Sequence, residues 1–213
     1  MSPLKISALL SALVLAGCVV PPAQESAPQS TAPVQVECGV ASPPGCREPA
    51  VPAALKEFEQ KLKGEIQAAN DLRQKAVDSM SALPAKQHIG NSETVTTEQT
   101  FKLNATGDTR SMQVLDSITL DLPWAAKAKH EHKEAMNAVK DIATMMADNR
   151  GAATIYVTVS PRDLRAKKVN LKSGTAPTEA GNPVEVKKSA DKNVPAGIER
   201  FVIQAKPWGN AVD

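Results

Sequence analysis

The feature that most constrains this chain is a stripe of apolar residues that begins at Leu55 and ends at Met80. The stripe repeats at a mean spacing close to 3.6 residues, which is the period of one face of an α-helix. Pro52 suits a first helical position and Leu83-Pro84 ends the pattern, so the sequence predicts one helix of roughly thirty residues. The stripe consists of Leu55, Phe58, Leu62, Ile66, Ala69, Leu72, Ala76 and Met80.

An apolar face of this length has two possible partners. It could form a coiled-coil seam with another chain, or it could pack on a sheet of its own domain. The small side chains of Ala69 and Ala76 would give a coiled-coil seam little apolar contact area, which favours packing on the domain's own sheet.

Two alternating segments follow the helix, after a polar loop at residues 85–93, and indicate strands. The first segment leads to a turn at residues 106–109, and the second runs from Met112 to Leu122. They are predicted to form an antiparallel hairpin. The alternation slips at residues 115–117, which predicts a bulge or a bend. The apolar strand positions are Phe101, Leu103, Ala105, Met112, Val114, Ile118, Leu120 and Leu122.

A second apolar stripe predicts a second helix that ends at Arg150, just before Gly151. Asp121 or Leu122 would cap its start and Pro123 would lie in its first turn, which gives the helix about 26 residues. The stripe consists of Ala125, Ala128, His132, Met136, Val139, Ile142 or Ala143, and Met146.

The pattern beyond the second helix is weaker. Alternation predicts strands at residues 153–159 and 201–205, a short strand at 184–186, and a loop at 173–183. Taken together, the elements predict that residues 53–213 form an α+β domain in which two long helices pack on one face of a mainly antiparallel sheet.

The first twenty residues indicate export. Lys5 precedes an apolar segment from Ile6 to Leu15, which is too short to cross a bilayer of about 30 Å but suits the core of a signal peptide. The segment ends in Leu15-Ala16-Gly17-Cys18, which resembles the lipobox of bacterial lipoproteins. An ordinary cleaved signal peptide with a chance cysteine is the alternative.

The lipobox resemblance implies a lipid anchor. In that family the signal peptide, here residues 1–17, is removed, and the thiol of the cysteine, here Cys18, carries fatty-acyl chains such as palmitate. Two or three chains give stable membrane anchoring at about 0.8 kcal/mol per buried methylene. Val19 stands where the family's inner-membrane members have Asp, so the resemblance implies an outer-membrane lipoprotein.

Residues 18–52 are predicted to be a disordered tether, because Pro, Ala, Ser and Gln dominate them and large apolar residues are scarce. At about 3.1 Å per residue the tether could span on the order of 100 Å when stretched. Cys38 and Cys46 are expected to form a disulfide in an oxidising compartment. Two free thiols, or disulfides to another chain, remain alternatives, while a redox-active pair does not fit the spacing.

The charge distribution singles out one segment. Lys and Arg number 25 against 23 Asp and Glu, and aromatic residues make up 3 %, which argues against a nucleic-acid partner. The basic residues are concentrated locally at Arg162, Arg165, Lys167, Lys168 and Lys172. This cluster predicts contact with anionic cell-wall or lipid groups or with an acidic protein patch. The alternative is a solvated edge that keeps a strand from pairing.

The sequence offers no clear catalytic or metal-binding set. His130, Glu131, His132 and Glu134 lie close together, but residues two apart on a helix point to different sides, so the group is interpreted as a solvated helix surface. No nucleophile motif and no phosphate-binding glycine loop is found. We therefore expect no metal, no cofactor and no enzymatic activity.

One further resemblance concerns the region after the second helix. The unit Ile118 to Val159, followed by Arg165-Ala166 and Val169, partly resembles the peptidoglycan-binding OmpA-type domain. The family's Thr-Asp ligand segment and its following Asn and Leu-Ser are missing, so no binding residue carries over.

These observations lead to one functional hypothesis with two alternatives. The hypothesis is a lipid-anchored outer-membrane lipoprotein of the cell envelope, whose non-enzymatic domain faces the periplasm and docks onto a protein partner, as an accessory or scaffold part of an envelope-spanning assembly. The alternatives are a cell-wall (peptidoglycan) binding module and a periplasmic hydrolase with an unrecognised site.

Overall fold

The computed structural model describes residues 51–212, which contain three α-helices and seven strands. The helices are α1 (Ala53–Ser81), α2 (His130–Arg150) and α3 (Pro161–Arg165), with short 3-10 turns at Ala85–Gln87 and Trp124–Ala126. The strands are β1 (Ser92–Leu103), β2 (Thr109–Pro123), β3 (Ala153–Val159), β4 (Gly174–Pro177), β5 (Pro183–Ala190), β6 (Ile198–Ala205) and β7 (Ala211–Val212).

The strands form one sheet in the order β4-β5-β3-β6-β2-β1-β7. Neighbouring strands are antiparallel except for the pairs β3–β5 and β1–β7, which are parallel. α1 packs on α2 and on strands β1 and β2, while α2 packs on β6 and β3. The predicted α+β class, with two long helices on a mainly antiparallel sheet, is confirmed.

The first helix matches its prediction closely. Its buried face carries Leu55, Leu62, Ala69 and Met80, and these side chains contact α2 and the sheet. α2 and the domain's own sheet therefore cover the stripe together, so the face packs within the domain. The buried face also includes Glu65, a charged residue outside the predicted stripe.

The predicted hairpin and its bulge are both present. The register of β1 against β2 shifts where Val95 faces Ser117 and Thr96 faces Leu115, so Asp116 is the extra residue. The prediction was wrong for Ala105, which lies in the exposed turn.

The start of the second helix was predicted wrongly. β2 continues to Pro123, because its last residues pair with β6, with Leu122 opposite Glu199. The helix begins only at His130, after the 3-10 turn Trp124–Ala126. The predicted end is correct. Gly151, with φ 83°, adopts the left-handed conformation that glycine favours at this position.

Several short elements had no clear sequence signal. β4 lies within the predicted loop at residues 173–183, and its four residues are all exposed. β5 is eight residues long rather than a short strand around Val184 and Val186. β7 has two residues and pairs with the end of β1. No helix in the described range 51–212 is long and apolar enough to cross a membrane.

Candidate partner-binding surface

The predicted lipidation and disulfide residues fall outside the described part of the chain. Cys18, Cys38 and Cys46 all precede residue 51, so the lipid anchor and the disulfide remain expectations. The predicted contact residues, from Arg162 to Lys172, do lie within the described part.

α3 turns the one acidic residue of the basic segment, defined as residues 162–172, toward the interior. Ser160 caps the helix, and its hydroxyl accepts the Asp163 backbone N–H (3.2 Å) and donates to the Asp163 carboxylate (2.8 Å). The Gly197 N–H donates to the same carboxylate (2.7 Å). Hydrogen bonds from Gly197 and Ser160 lower the pKa of Asp163, with smaller contributions from the charges of Lys168 and Arg162. Asp163 is therefore a charged anchor for the segment.

The five predicted contact residues all lie on the protein surface. Arg162, Arg165, Lys167, Lys168 and Lys172 are exposed, and none forms an ion pair with a residue in the range 51–212. The segment consists of α3 and a loop, and it contains no strand. The five residues do not lie in a strand themselves, and Lys172 lies just before the edge strand β4.

The backbone after α3 forms a tight turn. Lys167 adopts a left-handed conformation with φ 54°. The Lys168 N–H then donates to the Asp163 carbonyl (3.0 Å), and the Lys167 N–H donates to the Leu164 carbonyl (3.1 Å). These bonds satisfy the last carbonyls of the helix and fix the direction in which the following lysines leave it.

A buried carboxylate fastens the middle of the basic segment to the sheet. Glu199 on β6 is 1 % exposed and accepts the backbone N–H of Asn170 at 2.5 Å. The Asn170 side-chain amide donates to its other oxygen. Burial raises the pKa of Glu199, although these hydrogen bonds and the charges of Lys127 and Lys188 oppose the shift. The basic segment is therefore held at both Asp163 and Asn170.

Positive charge extends beyond the basic segment at this end of the sheet. β3 and β5 end here and β6 begins, since Val159 faces both Ala190 and Glu199 in the register. Lys127 lies over the ring of Trp124, with Nζ 3.9 Å from the ring centroid. Trp124 is thus a half-buried platform for a lysine rather than part of the core.

An apolar groove lies next to the basic segment. It has a volume of about 380 Å³ and runs between α2 and the strands β5 and β4. Ile155, Val184 and Val186 form its floor, Leu171 lies at its wall, and Lys172 of the basic segment lines it. The cluster predicted from sequence therefore borders an apolar depression.

The histidine cluster of α2 separates into two environments. His130 is exposed and its Nε2 lies 3.2 Å from the Glu134 carboxylate. His132, predicted to lie on a solvated surface, is instead 2 % exposed, in agreement with its place in the apolar stripe. Burial lowers the pKa of His132, and the charge of Lys127 lowers it further. Between residues 51 and 212 no three His, Cys, Asp or Glu side chains form a group that could hold a metal ion.

Comparison with known proteins gives no relative, because no family model, no curated protein and no solved structure matches the chain. The chemistry of the surface is therefore the guide to function.

The basic residues were predicted from their local density in the sequence. Glu199 and the groove were missed, since both depend on contacts between distant parts of the chain.

Proposed function

We propose that the protein is an outer-membrane lipoprotein whose domain faces the periplasm and docks onto an anionic surface of a protein partner, as an accessory or scaffold part of an envelope-spanning assembly. The lipobox resemblance supports the anchor, and the basic segment supports the docking role. No enzymatic step is included in the proposal.

The observation that carries the proposal is a positive surface that is fixed in place and not neutralised. Asp163 is turned inward, and Asn170 is bonded to the buried Glu199, so the segment pays little ordering entropy when it binds. Its five exposed cations have no ion-pair partner in the range 51–212. Such a surface speeds encounter with an acidic partner and selects against basic ones.

The histidines support a non-enzymatic role. Nε2 of His88 lies 2.6 Å from the Leu83 carbonyl, His130 pairs with Glu134, and His132 is buried. His88 and His130 are therefore engaged by contacts within the domain, and His132 belongs to the apolar face of α2.

The test is a charge reversal of the basic segment in the full chain, in cells. Arg162→Glu, Arg165→Glu and Lys168→Glu together should reduce chemical cross-linking to the partner by about tenfold or more, because three attractions become repulsions. The matched control reverses Lys56, Lys75 and Lys86, which are exposed outside the segment. We expect the control to cross-link within about twofold of the natural protein.

The same variants distinguish peptidoglycan binding from docking onto a protein partner. If purified sacculi retain the natural protein, release the segment variant, and cells yield no protein cross-link, the domain is a peptidoglycan-binding module and the scaffold proposal is wrong. Unchanged cross-linking by the segment variant would also contradict the proposal.

A further inference from the structure

The two long helices leave one strip of the sheet uncovered. Seven strands spaced about 4.8 Å apart span roughly 29 Å, whereas two helices about 10 Å wide cover only about 20 Å. α1 and α2 lie mainly over the strands from β1 to β3, and α2 makes only a small contact with β5. The strip that is left largely uncovered consists of β5 and β4, where Val184 and Val186 are only half-buried and β4 is fully exposed. The uncovered width of the sheet is therefore about the diameter of one helix.

The topology explains why this strip is open. β3 and β5 are parallel neighbours, and a connection between such strands usually carries a helix that packs on the sheet. Here the connection supplies only the five-residue α3, at the end of the sheet, and then the edge strand β4. This connection between β3 and β5 therefore contains no long helix that would cover the strip.

The groove in this strip is preformed. On its far side the hairpin between β4 and β5 is tied to α2, since Thr178 donates to Asp148 (2.5 Å) and the Asn182 amide donates to the same carboxylate oxygen (3.1 Å). On its near side, Leu171 belongs to the basic segment that Glu199 holds. An occupant would not have to open the groove before binding.

The charged side chains that line the groove are both basic, and the Asp148 carboxylate at its far side is engaged by Thr178 and Asn182. The described lining of the groove contains two charged residues, Lys140 from α2 and Lys172 from the basic segment, and no acidic residue. Neither lysine forms an ion pair with a residue of the range 51–212. The groove thus combines an apolar floor with a cationic rim.

We propose that the groove receives an amphipathic helix of the partner protein, with its apolar face on β5 and β4 and acidic residues beside Lys140 and Lys172. The open strip has the width of one helix, and helix-in-groove binding is a common mode of recognition. The proposal rests on the docking function proposed above and specifies the partner's chemistry.

Site-specific photo-cross-linking in cells tests the occupant directly. A photoreactive residue replaces Thr144 or Ala176, which lie on opposite sides of the groove, in the full chain. Tyr156, on the opposite face of the sheet, is the control position. Both groove positions should give adducts that map to one partner segment, with apolar residues at helical spacing and an excess of Asp and Glu. Tyr156 should not give that adduct.

Every other outcome at the groove positions contradicts the proposal. An adduct with lipid, with a second copy of this chain, or with a segment that lacks the acidic amphipathic pattern would give the groove another occupant. The absence of any adduct at both positions would mean that the groove is empty in cells.

A binding measurement then tests the cationic rim. A synthetic peptide of the cross-linked segment should bind the full chain at least about tenfold more weakly when Lys140→Glu and Lys172→Glu are combined. The control pair Lys86→Glu and Lys133→Glu, exposed and outside the groove, should change the affinity by less than about twofold. Equal weakening by both pairs would indicate general charge attraction and overturn the rim assignment.

One more position separates the two proposals. A photoreactive residue in place of Arg165 reports on the basic segment. If it captures a protein while Thr144 and Ala176 do not, docking stands and the groove inference fails. If none of the three positions captures a protein, both proposals fail.

Discussion

At the scale of single residues, the domain places several titratable groups where water is excluded. Asp163 is stabilised in its charged form by hydrogen bonds, whereas burial favours the neutral forms of Glu199 and His132. Asp163 and Glu199 were not predicted to be buried, because their burial depends on contacts in the folded chain, whereas His132 belongs to the apolar stripe predicted from local spacing. Of the three, His132 gives the clearest test, since its side-chain Nε2 has no hydrogen-bond partner among the described residues.

We expect His132 to make the domain less stable in mild acid. Burial holds the pKa of His132 below 6.5, so as pH falls through about 6.5 the unfolded chain takes up a proton before the folded chain does. The contribution of His132 to the free energy of unfolding should therefore decrease from about pH 7.5 to about pH 5, until the folded imidazole is protonated as well, whereas Glu199, whose pKa is raised, contributes in the opposite sense. Urea unfolding at a series of pH values measures this.

The variant His132→Leu isolates the effect. It should remove part of the loss of stability in acid, and the same replacement at the exposed His130 is the matched control for the change of side chain. If natural protein and His132→Leu lose stability in parallel, the histidine titrates alike in both states and the prediction is wrong.

At the scale of elements, a buried ion pair joins α1, α2 and β2. The Glu65 and Arg150 side chains are 1 % and 3 % exposed and lie 2.6 Å apart. Arg150 also donates to the Leu115 carbonyl at the bulge (2.7 Å) and lies 5.3 Å from the ring of Trp208. Trp208 in turn contacts Phe58 edge to face. The end of α2 is thereby fixed to the middle of α1.

Removing one member of this pair should destabilise the domain strongly. Glu65→Leu leaves the Arg150 charge buried without its partner and should cost about 3–5 kcal/mol in the free energy of unfolding. The double variant Glu65→Leu with Arg150→Met should lose less than Glu65→Leu alone, because it leaves no unpaired charge, although Leu115 loses a donor. Chemical denaturation of the natural protein, the two single variants Glu65→Leu and Arg150→Met, and the double variant gives the coupling energy.

An exposed ion pair on the same helix is the control. Glu59 and Lys63 lie 2.7 Å apart on α1, with the lysine largely exposed. Replacing Lys63 by Ala should cost less than about 1 kcal/mol. A loss for Glu65→Leu as small as this one would refute the structural importance of the buried pair.

The elements differ in how far the sequence predicts them, and the reason is physical. α1 and the bulge of β2 follow from apolar periodicity, which is local. The start of α2 does not, because pairing of Leu122 with Glu199 extends β2 past the point where Pro123 suggested a helix. β4 is exposed and contains Pro177, so it has neither an apolar alternation nor a strand propensity to reveal it.

The same limit applies to the candidate site. The basic residues were predicted because charge density can be counted along the chain. Their use as a surface depends on Asp163, Asn170 and Glu199, which come from three different elements. The groove is open because the connection between β3 and β5 contains no helix long enough to cover it. The absence of such a helix leaves no pattern in the sequence.

At the scale of the whole molecule, the proposed function joins a lipid anchor to a docking surface. The lipobox resemblance implies an anchor at Cys18, and the predicted tether of residues 18–52 would give the domain its reach. Between residues 51 and 212, the domain supplies a basic segment without ion-pair partners in that range and an open groove on one side of its sheet. A tethered domain meets a partner at an effective concentration set by the tether, so weak contacts suffice for stable assembly.

The predicted lipid anchor depends on one atom, the sulfur of Cys18. Cys18→Ser removes the sulfur that would carry acyl chains. Stable membrane anchoring takes two or more such chains, so the variant should lose it. We expect the variant to move from the outer-membrane fraction to the soluble periplasmic fraction, measured by fractionation and immunoblotting. Cys38→Ser is the matched control, since it also removes one thiol but leaves Leu15-Ala16-Gly17-Cys18 intact, and it should stay with the membrane. If Cys18→Ser still sediments with the outer membrane, the partner rather than lipid holds the protein there, and combining it with the reversal of Arg162, Arg165 and Lys168 should then release it.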